Sequence, residues 1–449
     1  MSVNTREIIL DILLELEKKE SKSHLLIRDV LLKYDYLDAR DKGLIKRISE
    51  GTVFKKITLD FVLDKYSKKP MSKCKPEVAA ILRMSLYQIL FMDKIPDNAV
   101  CDEAVKLCRK KSFETFCPFV NGILRNVCRD KESALSFDDI EDRVQRISVT
   151  YSCPEWIVKM LLKEQDDGES LIKALSDIRP TFVKILRHED AAGLLKDWDG
   201  AGIEYRESRY IEDAYSLEGF EGMESVPGFS DGKFLIQDES SMISASCAGV
   251  SEGDDLRILD VCAAPGGKSS YVASRMFPHG EVVSCDVSDY KVSMISENAE
   301  RMGLTNLKPT LQDATEFNKE FEGAFDIVIA DVPCSGLGVM SRKSDIKYKI
   351  SNEAMKDICD LQKAIVSNVS KYVKSGGVMI YSTCTIHKAE NEKMVKFITD
   401  NLGLKEDSLK PFVPFLFDKP RKSDSHIQLR PDVDGTDGFF VARFVKSED

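Results

Sequence analysis

Two cysteines stand where strands would stop. The stretch FDIVIADVPCSG, residues 325–336, is an apolar run that closes on Asp331, Pro333 and Cys334, and GGVMIYSTCT, residues 376–385, closes on Cys384. A thiolate is a strong carbon nucleophile, suited to addition at an electron-poor position such as C6 of cytosine. That addition gives C5 the enamine character it otherwise lacks, so that C5 can attack the methyl group of a sulfonium donor. A second thiol beside the first can assist expulsion of the enzyme sulfur. A carboxylate such as Asp331 can bond the N3 and amino edge of the base, where charge develops. Spacing alone does not say which sulfur attacks.

A second series of groups suits a nucleoside ligand. LRILDVCAAPGGKSS, residues 256–270, places an apolar run before a turn of small residues, Cys262, Ala263, Ala264, Pro265, Gly266 and Gly267, with Lys268 opening a helix. Small residues let a ligand approach the backbone closely. GEVVSCD ends at Asp286, placed to accept from both hydroxyls of a ribose. LQDATEF offers Asp313 after a third run, in reach of an adenine amino group. Each has a plainer alternative, since a glycine pair makes any tight turn and Asp is a favoured helix cap. The fingerprint GxGxxG and the phosphate-cradling P-loop are both absent, so an adenosine without phosphates fits better than a dinucleotide.

For these groups to meet, the chain must build a parallel sheet. From residue 231 onward the apolar runs are separated by stretches long enough for a helix, as in a doubly wound fold whose ligands bind at the carboxyl ends of strands. EAMKDICDLQKAIVSNVSKYV supplies a crossover helix between the two cysteine-bearing runs. Neighbouring strands ~4.8 Å apart would bring both thiols to one edge. Residues 1–130 read as helices, with apolar residues at i, i+3 and i+4 in EIILDILLEL, EVAAILRMSLYQILFM and VNGILRNVC. DKESALSFDDIEDR is acidic with few apolar anchors, and residues 131–145 are expected to be a linker or a poorly packed connecting helix. PEWIVKMLLKE, ESLIKALSDI and a strand at TFVKILR suggest a small α/β subdomain over 146–230. The expected fold is therefore multidomain: an all-α N-terminal bundle, a small α/β subdomain, and a C-terminal α/β Rossmann-like domain, residues 231–449, with a mostly parallel sheet.

Bulk properties limit the function classes. The 449 residues carry 43% hydrophobic and 31% charged side chains, the values of a soluble globular chain. The opening segment MSVNTREIILDILLELEKKE has charges at helical spacing, wrong for a signal peptide and too polar for a membrane span, so a cytosolic helix is expected. Twelve cysteines without a CxxC pair should be reduced and mostly buried. Five histidines at no ligand spacing predict no metal site. The net charge of −11 is uneven: residues 1–130 hold 25 Lys and Arg against 19 Asp and Glu, the remainder 39 against 56. A basic module tethered to an acidic body suits phosphate binding. Arg83, Arg125 and the run Arg109, Lys110 and Lys111 are candidates, although exposed cations on helices are commonly just solvated.

The segments DVCAAPGGK, DVPCSG and STCT, with QDESS at 237–241 and DGFFVARF near the end, resemble the RNA cytosine-C5 methyltransferases. The resemblance implies a class I methyltransferase domain using S-adenosylmethionine, with Cys384 as nucleophile and Cys334 aiding product release. Lys268, Asp286, Asp313 and Asp331 would line the cofactor and base site. The Thr-Cys at 383–384 resembles the RNA enzymes, whereas DNA cytosine methyltransferases use the cysteine of their Pro-Cys motif. ILRMSLYQILFMDKIPDNAVCDEAV and NGILRN resemble the helical NusB RNA-binding fold. This combination is similar over nearly the whole chain to the ribosomal RNA small subunit methyltransferase B family, which implies 16S rRNA as partner, no membrane, no metal and a monomer. The chain departs from the family at Lys184, Ile185 and Leu186, where an Arg-x-Asn sequence is usual. Two other readings share the motifs: a methyltransferase of tRNA or another RNA, and a non-catalytic RNA-binding assembly protein. Intact Asp331, Cys334 and Cys384 argue against the second.

Overall fold

The computed structural model describes residues 4–18 and 22–448, so the two ends of the opening segment, residues 1–3 and 19–20, lie outside the described residues. Contacts divide the chain into a unit of Met1–Asp177 with Met340–Lys349 and a unit of Ile178–Val339 with Ile350–Asp449.

The first unit is helical. Its centre is the helix Pro76–Phe91, whose residues from Val78 to Ile89 are buried except for Arg83. Pro76 opens it at a position whose N–H would be unpaired anyway. Around it lie Thr5–Lys18, with Ile8, Ile9, Ile12 and Leu13 turned inward, Ala39–Phe54, Asp97–Lys110 and Cys117–Arg129. The Asp38 side chain accepts from the backbone N–H of Asp41 at 2.7 Å and so starts the helix Ala39–Phe54.

Residues 131–145 are no loose linker. Ala134, Phe137 and Ile140 are buried in the same core as the bundle. Three apolar residues suffice because their spacing puts all of them on the packed side, while the acids between them face water. The helices Glu155–Glu164 and Gly168–Ala174 also belong to the helical unit, so the division falls at residue 177 where sequence reading had placed boundaries at 130, 145 and 230.

The second unit holds two sheets. The smaller has the order β2-β3-β1-β4, all antiparallel, from β1 (Thr181–Ile185), β2 (Glu204–Glu207), β3 (Ala214–Glu218) and β4 (Phe234–Ile236). Trp198, fully buried under it, donates from Nε1 to the Pro227 carbonyl at 3.0 Å.

The larger sheet comprises β5 (Arg257–Asp260), β6 (Glu281–Asp286), β7 (Leu307–Leu311), β8 (Phe325–Asp331), β9 (Val373–Thr383), β10 (Leu404–Glu406), β11 (His426–Leu429) and β12 (Phe439–Lys446). Its order is β10-β12-β9-β8-β5-β6-β7, with β11 also paired to β12. Strands β7, β6, β5, β8 and β9 are parallel; β12 is antiparallel to β9. Ile258, Ile327, Ile329 and Ile380 enter one core, and Leu259, Val328, Ala330 and Met379 enter the other. Both faces are covered, which is why these strands read as unbroken apolar runs. The chain winds outward from β5 through β6 to β7, then returns to β8 on the other side of β5. The crevice at the carboxyl ends of β5 and β8 is thus the topological switch point.

Candidate active site

Strand β5 ends at Asp260, and the turn that follows carries the chain into the helix Gly267–Met276. Gly266, at φ +100, occupies left-handed backbone that a side chain would strain. Asp286, 3% exposed at the tip of β6, accepts from the backbone N–H groups of Ala264 at 3.0 Å and Val287 at 2.8 Å, and from Lys291 Nζ at 2.8 Å. It therefore ties the small-residue turn to the second strand. Asp313 follows β7, and its Oδ1 accepts from the Thr315 N–H and hydroxyl at 2.8 and 2.7 Å. Those bonds hold its carboxyl below the usual range. Cys262 packs against the core beside the helices Asn352–Val369 and Glu392–Asn401, where burial pushes its thiol well up.

Asp260 is the residue that sequence reading passed over. It is 1% exposed, accepts from Ser269 Oγ at 2.7 Å through Oδ2, and its Oδ1 has no hydrogen-bond partner. Burial raises its carboxyl to about 7. A carboxylate at the end of the first apolar run, LRILD, was a visible signal by the same strand-end reasoning that singled out Asp286.

On the other side of the switch point, Lys268 and Asp331 form an ion pair with Nζ and Oδ2 2.7 Å apart. Ser382 Oγ donates to the other Asp331 oxygen at 2.8 Å. Asp331 and Ser382 are register partners across β8 and β9, so sheet pairing sets this bond. The Lys268 ammonium lies 4.9 Å from the centre of the Phe439 ring, at the start of β12. Beyond the strand ends, Cys334 Sγ and Cys384 Sγ are 3.2 Å apart. The hydrogen bond to Cys384, then burial, hold the Cys334 thiol well above its ordinary value. The Cys384 carbonyl accepts from the Gly338 N–H at 3.1 Å, and Gly438 N–H donates to the Gly338 carbonyl at 3.0 Å. A β-carbon on Gly338 would come within 1.8 Å of the Gly438 carbonyl oxygen, so the turn after Cys334 and the start of β12 meet only as glycines.

Thus Lys268, Asp331, Cys334 and Cys384 come together where β8 and β9 end, with Asp260 on the neighbouring β5 and Asp286 one strand further, on β6. Away from this edge, His188, Glu212 and Asp213 lie with donor atoms within 4.8 Å of one another, a grouping that sequence spacing did not reveal. Lys184 Nζ stands 3.8 Å from the same Asp213 and donates to the Ile185 carbonyl at 2.7 Å.

The profile of the NusB family matches residues 3–129, and that of the 16S rRNA methyltransferases RsmB/F matches residues 250–445. A Bacillus subtilis (strain 168) protein, described as a probable ribosomal RNA small subunit methyltransferase B, is 36% identical over 456 residues and 99% of both chains. The chain belongs to the ribosomal RNA small subunit methyltransferase B family. A Shigella sonnei (strain Ss046) member, ribosomal RNA small subunit methyltransferase B, is 27% identical across 91% of each chain. Among solved structures, the crystal structure of PH0851 has a TM-score of 0.79 at 21% identity, over 99% of this chain and 100% of that one. That of NSun6 from Pyrococcus horikoshii with SFG has a TM-score of 0.55 at 21% identity, over 66% and 97%. PH0851 shares the fold over nearly the whole chain and NSun6 over about two thirds of it; this methyltransferase B family member is an enzyme of the expected class with the expected NusB-like and Rossmann-like parts. Among its described residues no helix is long and apolar enough to cross a membrane.

Proposed function

We propose that the chain transfers a methyl group from S-adenosylmethionine to C5 of a cytidine in 16S rRNA, with Cys384 as the nucleophile. The observation that carries this reading is the 3.2 Å separation of the Cys334 and Cys384 sulfurs beside the Lys268–Asp331 pair. Membership of the family supports the substrate class.

The residues at the switch point fit the cofactor. Asp260 offers a buried carboxylate oxygen with no partner, and Gly266 leaves the backbone bare where Cβ would stand. Cys262, Ala263, Ala264, Pro265, Gly266 and Gly267 would line the adenosyl group, Asp286 would hold its ribose and Asp313 its adenine amino group. S-adenosylmethionine supplies an electrophilic methyl. The protein supplies the rest.

The Cys384 thiolate adds to C6 of the cytosine, and the electron pair of the C5=C6 bond is directed toward C5, which takes the methyl. Asp331, held in place by Lys268 and Ser382, accepts from the amino group of the base, and a proton shared between its carboxyl and N3 neutralises the negative charge that builds there. Loss of the C5 proton to water then re-forms the double bond and breaks the sulfur–C6 bond, returning the Cys384 thiolate. Cys334, kept as a thiol, donates a hydrogen bond to that leaving sulfur. All of these groups come from one chain, so a monomer suffices, and the rRNA substrate puts its work in the cytoplasm.

Cys384→Ala tests the assignment. Transfer from labelled S-adenosylmethionine to unmodified 16S rRNA should vanish while cofactor binding stays nearly intact; full activity would remove the nucleophile. Cys334→Ala should accumulate an RNA adduct that survives a denaturing gel, and its absence would remove the release role.

A further inference from the structure

One buried carboxylate reaches both thiol-bearing turns. Glu390 follows β9 just before the helix Glu392–Asn401 and has 0% of its surface exposed. Its Oε2 accepts from the Ser335 backbone N–H at 2.8 Å and from Gln362 Nε2 at 3.1 Å. Its Oε1 accepts from Ser335 Oγ at 2.6 Å and lies 3.2 Å from His387 Nδ1. Ser335 is the residue after Cys334. His387 lies three residues past Cys384. Gln362, on the crossover helix Asn352–Val369, donates from the same Nε2 to the carbonyl of Pro333 at 2.9 Å, on the other flank of Cys334. Ser335 Oγ is also 2.7 Å from Thr385 Oγ1, next to Cys384, and Tyr381 donates its hydroxyl to the Glu390 carbonyl at 2.6 Å.

A charge removed from water in this way is costly unless donors surround it. Here backbone N–H, amide, hydroxyl and imidazole groups converge on two oxygens, an arrangement that a neutral amide of the same shape cannot satisfy. Gln at this place would present an NH2 group to a donor on one side or the other. The donors come from the two loops whose sulfurs must stay in register, and from the helix that joins their strands.

We propose that Glu390 is a positioning residue for methyl transfer: its carboxylate clamps the Cys334 turn to the Cys384 turn and so holds the two sulfurs at the separation that product release needs. The clamp rests on the reading of Cys384 as nucleophile and Cys334 as release group. Its negative charge also opposes ionisation of the neighbouring Cys334, which keeps that group a hydrogen-bond donor. Glu390 touches neither base nor cofactor in this scheme and acts only through the turns.

The test uses the full chain, an unmodified 16S rRNA transcript and labelled S-adenosylmethionine. In Glu390→Gln the steady-state rate should fall at least tenfold, cofactor affinity should stay within about twofold, and a methylated RNA adduct should accumulate on denaturing gels. A merely structural role would lower first turnover and steady state together and leave no adduct, and that outcome overturns the clamp, as does a wild-type rate. Ser335→Ala deletes one link and keeps the charge; a threefold loss with a weaker adduct band is expected. It carries the test should the Gln variant not fold, and an unchanged rate without adduct in it would then reject the proposal. Cys334→Ala run alongside separates the two failures. An adduct in Cys334→Ala but in neither clamp variant means that the clamp is wrong and the release role stands; no adduct in any of them removes both.

Discussion

The surroundings of Arg83 in the helical unit and the carboxyl edge of the large sheet treat charge in opposite ways. Around Arg83 it is closed on itself. Arg83, in the most buried helix, is gripped by Asp60 at 2.6 and 3.1 Å and by Glu17 at 2.6 Å. Lys110 and Lys111 reach Glu7 and Asp11, and Asp345 takes the backbone N–H and hydroxyl of Ser23 at 2.8 and 2.6 Å. In the sheet unit, by contrast, Asp260, Asp286, Asp331 and Lys268 come to the carboxyl edge of a parallel sheet, and one Asp260 oxygen is left without a partner. Saturated charge stabilises a fold, whereas charge held at a strand end with a free valence has a use for a ligand. The cations that the sequence offered as phosphate contacts fall largely in the first class.

The comparison breaks most readily at Asp331. Asp331→Asn should cut methyl transfer by about 10²–10³-fold, the loss typical of one preorganised electrostatic contact, with a smaller effect on stability, since the buried Lys268 loses its countercharge but keeps an amide oxygen to bond; single-turnover rates and calorimetry would read both. Arg83→Ala should behave in the reverse sense. It strands Asp60 and Glu17 and should cost about 3 kcal/mol in denaturant unfolding, with the rate constant on the folded enzyme preserved. A rate loss there, with stability kept, would make Arg83 a substrate contact.

Two titrations sharpen the same contrast. Lys347 lies in the segment Met340–Lys349 of the helical unit, its Nζ 3.7 Å from the centre of the Phe54 ring, and burial lowers it to about 7. An unfolded lysine titrates near ~10.4, so between those values the unfolded chain binds more protons. Stability from this group is therefore smallest below about pH 7 and rises as pH increases through that window. Lys347→Met should stabilise the chain at pH 7 and flatten the rise, as urea melts at several pH values would show. Asp260 runs the other way. With its folded value raised to about 7 against an unfolded ~3.9, the folded chain binds more protons between them, so its contribution is full at low pH and is lost as pH rises toward 7. Asp260→Asn should raise the melting temperature of cofactor-free protein at pH 8 and change it less at pH 5. The smallest effect is expected at the surface: Lys110→Ala, which breaks an exposed pair with Glu7, should cost less than about 0.5 kcal/mol. If its RNA affinity drops with a shallower salt dependence, Lys110 is a phosphate contact after all.

Much of this was legible in the residues. FDIVIADVPCSG and GGVMIYSTCT became β8 and β9 with their thiols just past the ends, because an apolar run is buried on both faces wherever helices cover a sheet. The small-residue turn appeared where expected because Gly266 tolerates a backbone that other residues resist. What stayed hidden depended on partners far away in the chain. Residues 131–145 looked like a linker because three apolar residues among acids give a weak period, and only a preformed core could accept Ala134, Phe137 and Ile140. Glu390 carries no signal of its own among the mixed charges of HKAENEK; only the fold brings Ser335 and Gln362, 55 and 28 residues away, around it.

Composition, periodicity and strand-end chemistry determined by themselves that this chain would form helices followed by a covered parallel sheet bearing thiols and acids at its rim, because those are local consequences of burial and backbone geometry. Tertiary structure alone decided which cations are neutralised, which carboxylate keeps an empty oxygen, and how near the two sulfurs lie. Such properties depend on hydrogen bonds and fields between residues that only folding brings within a few ångströms of one another.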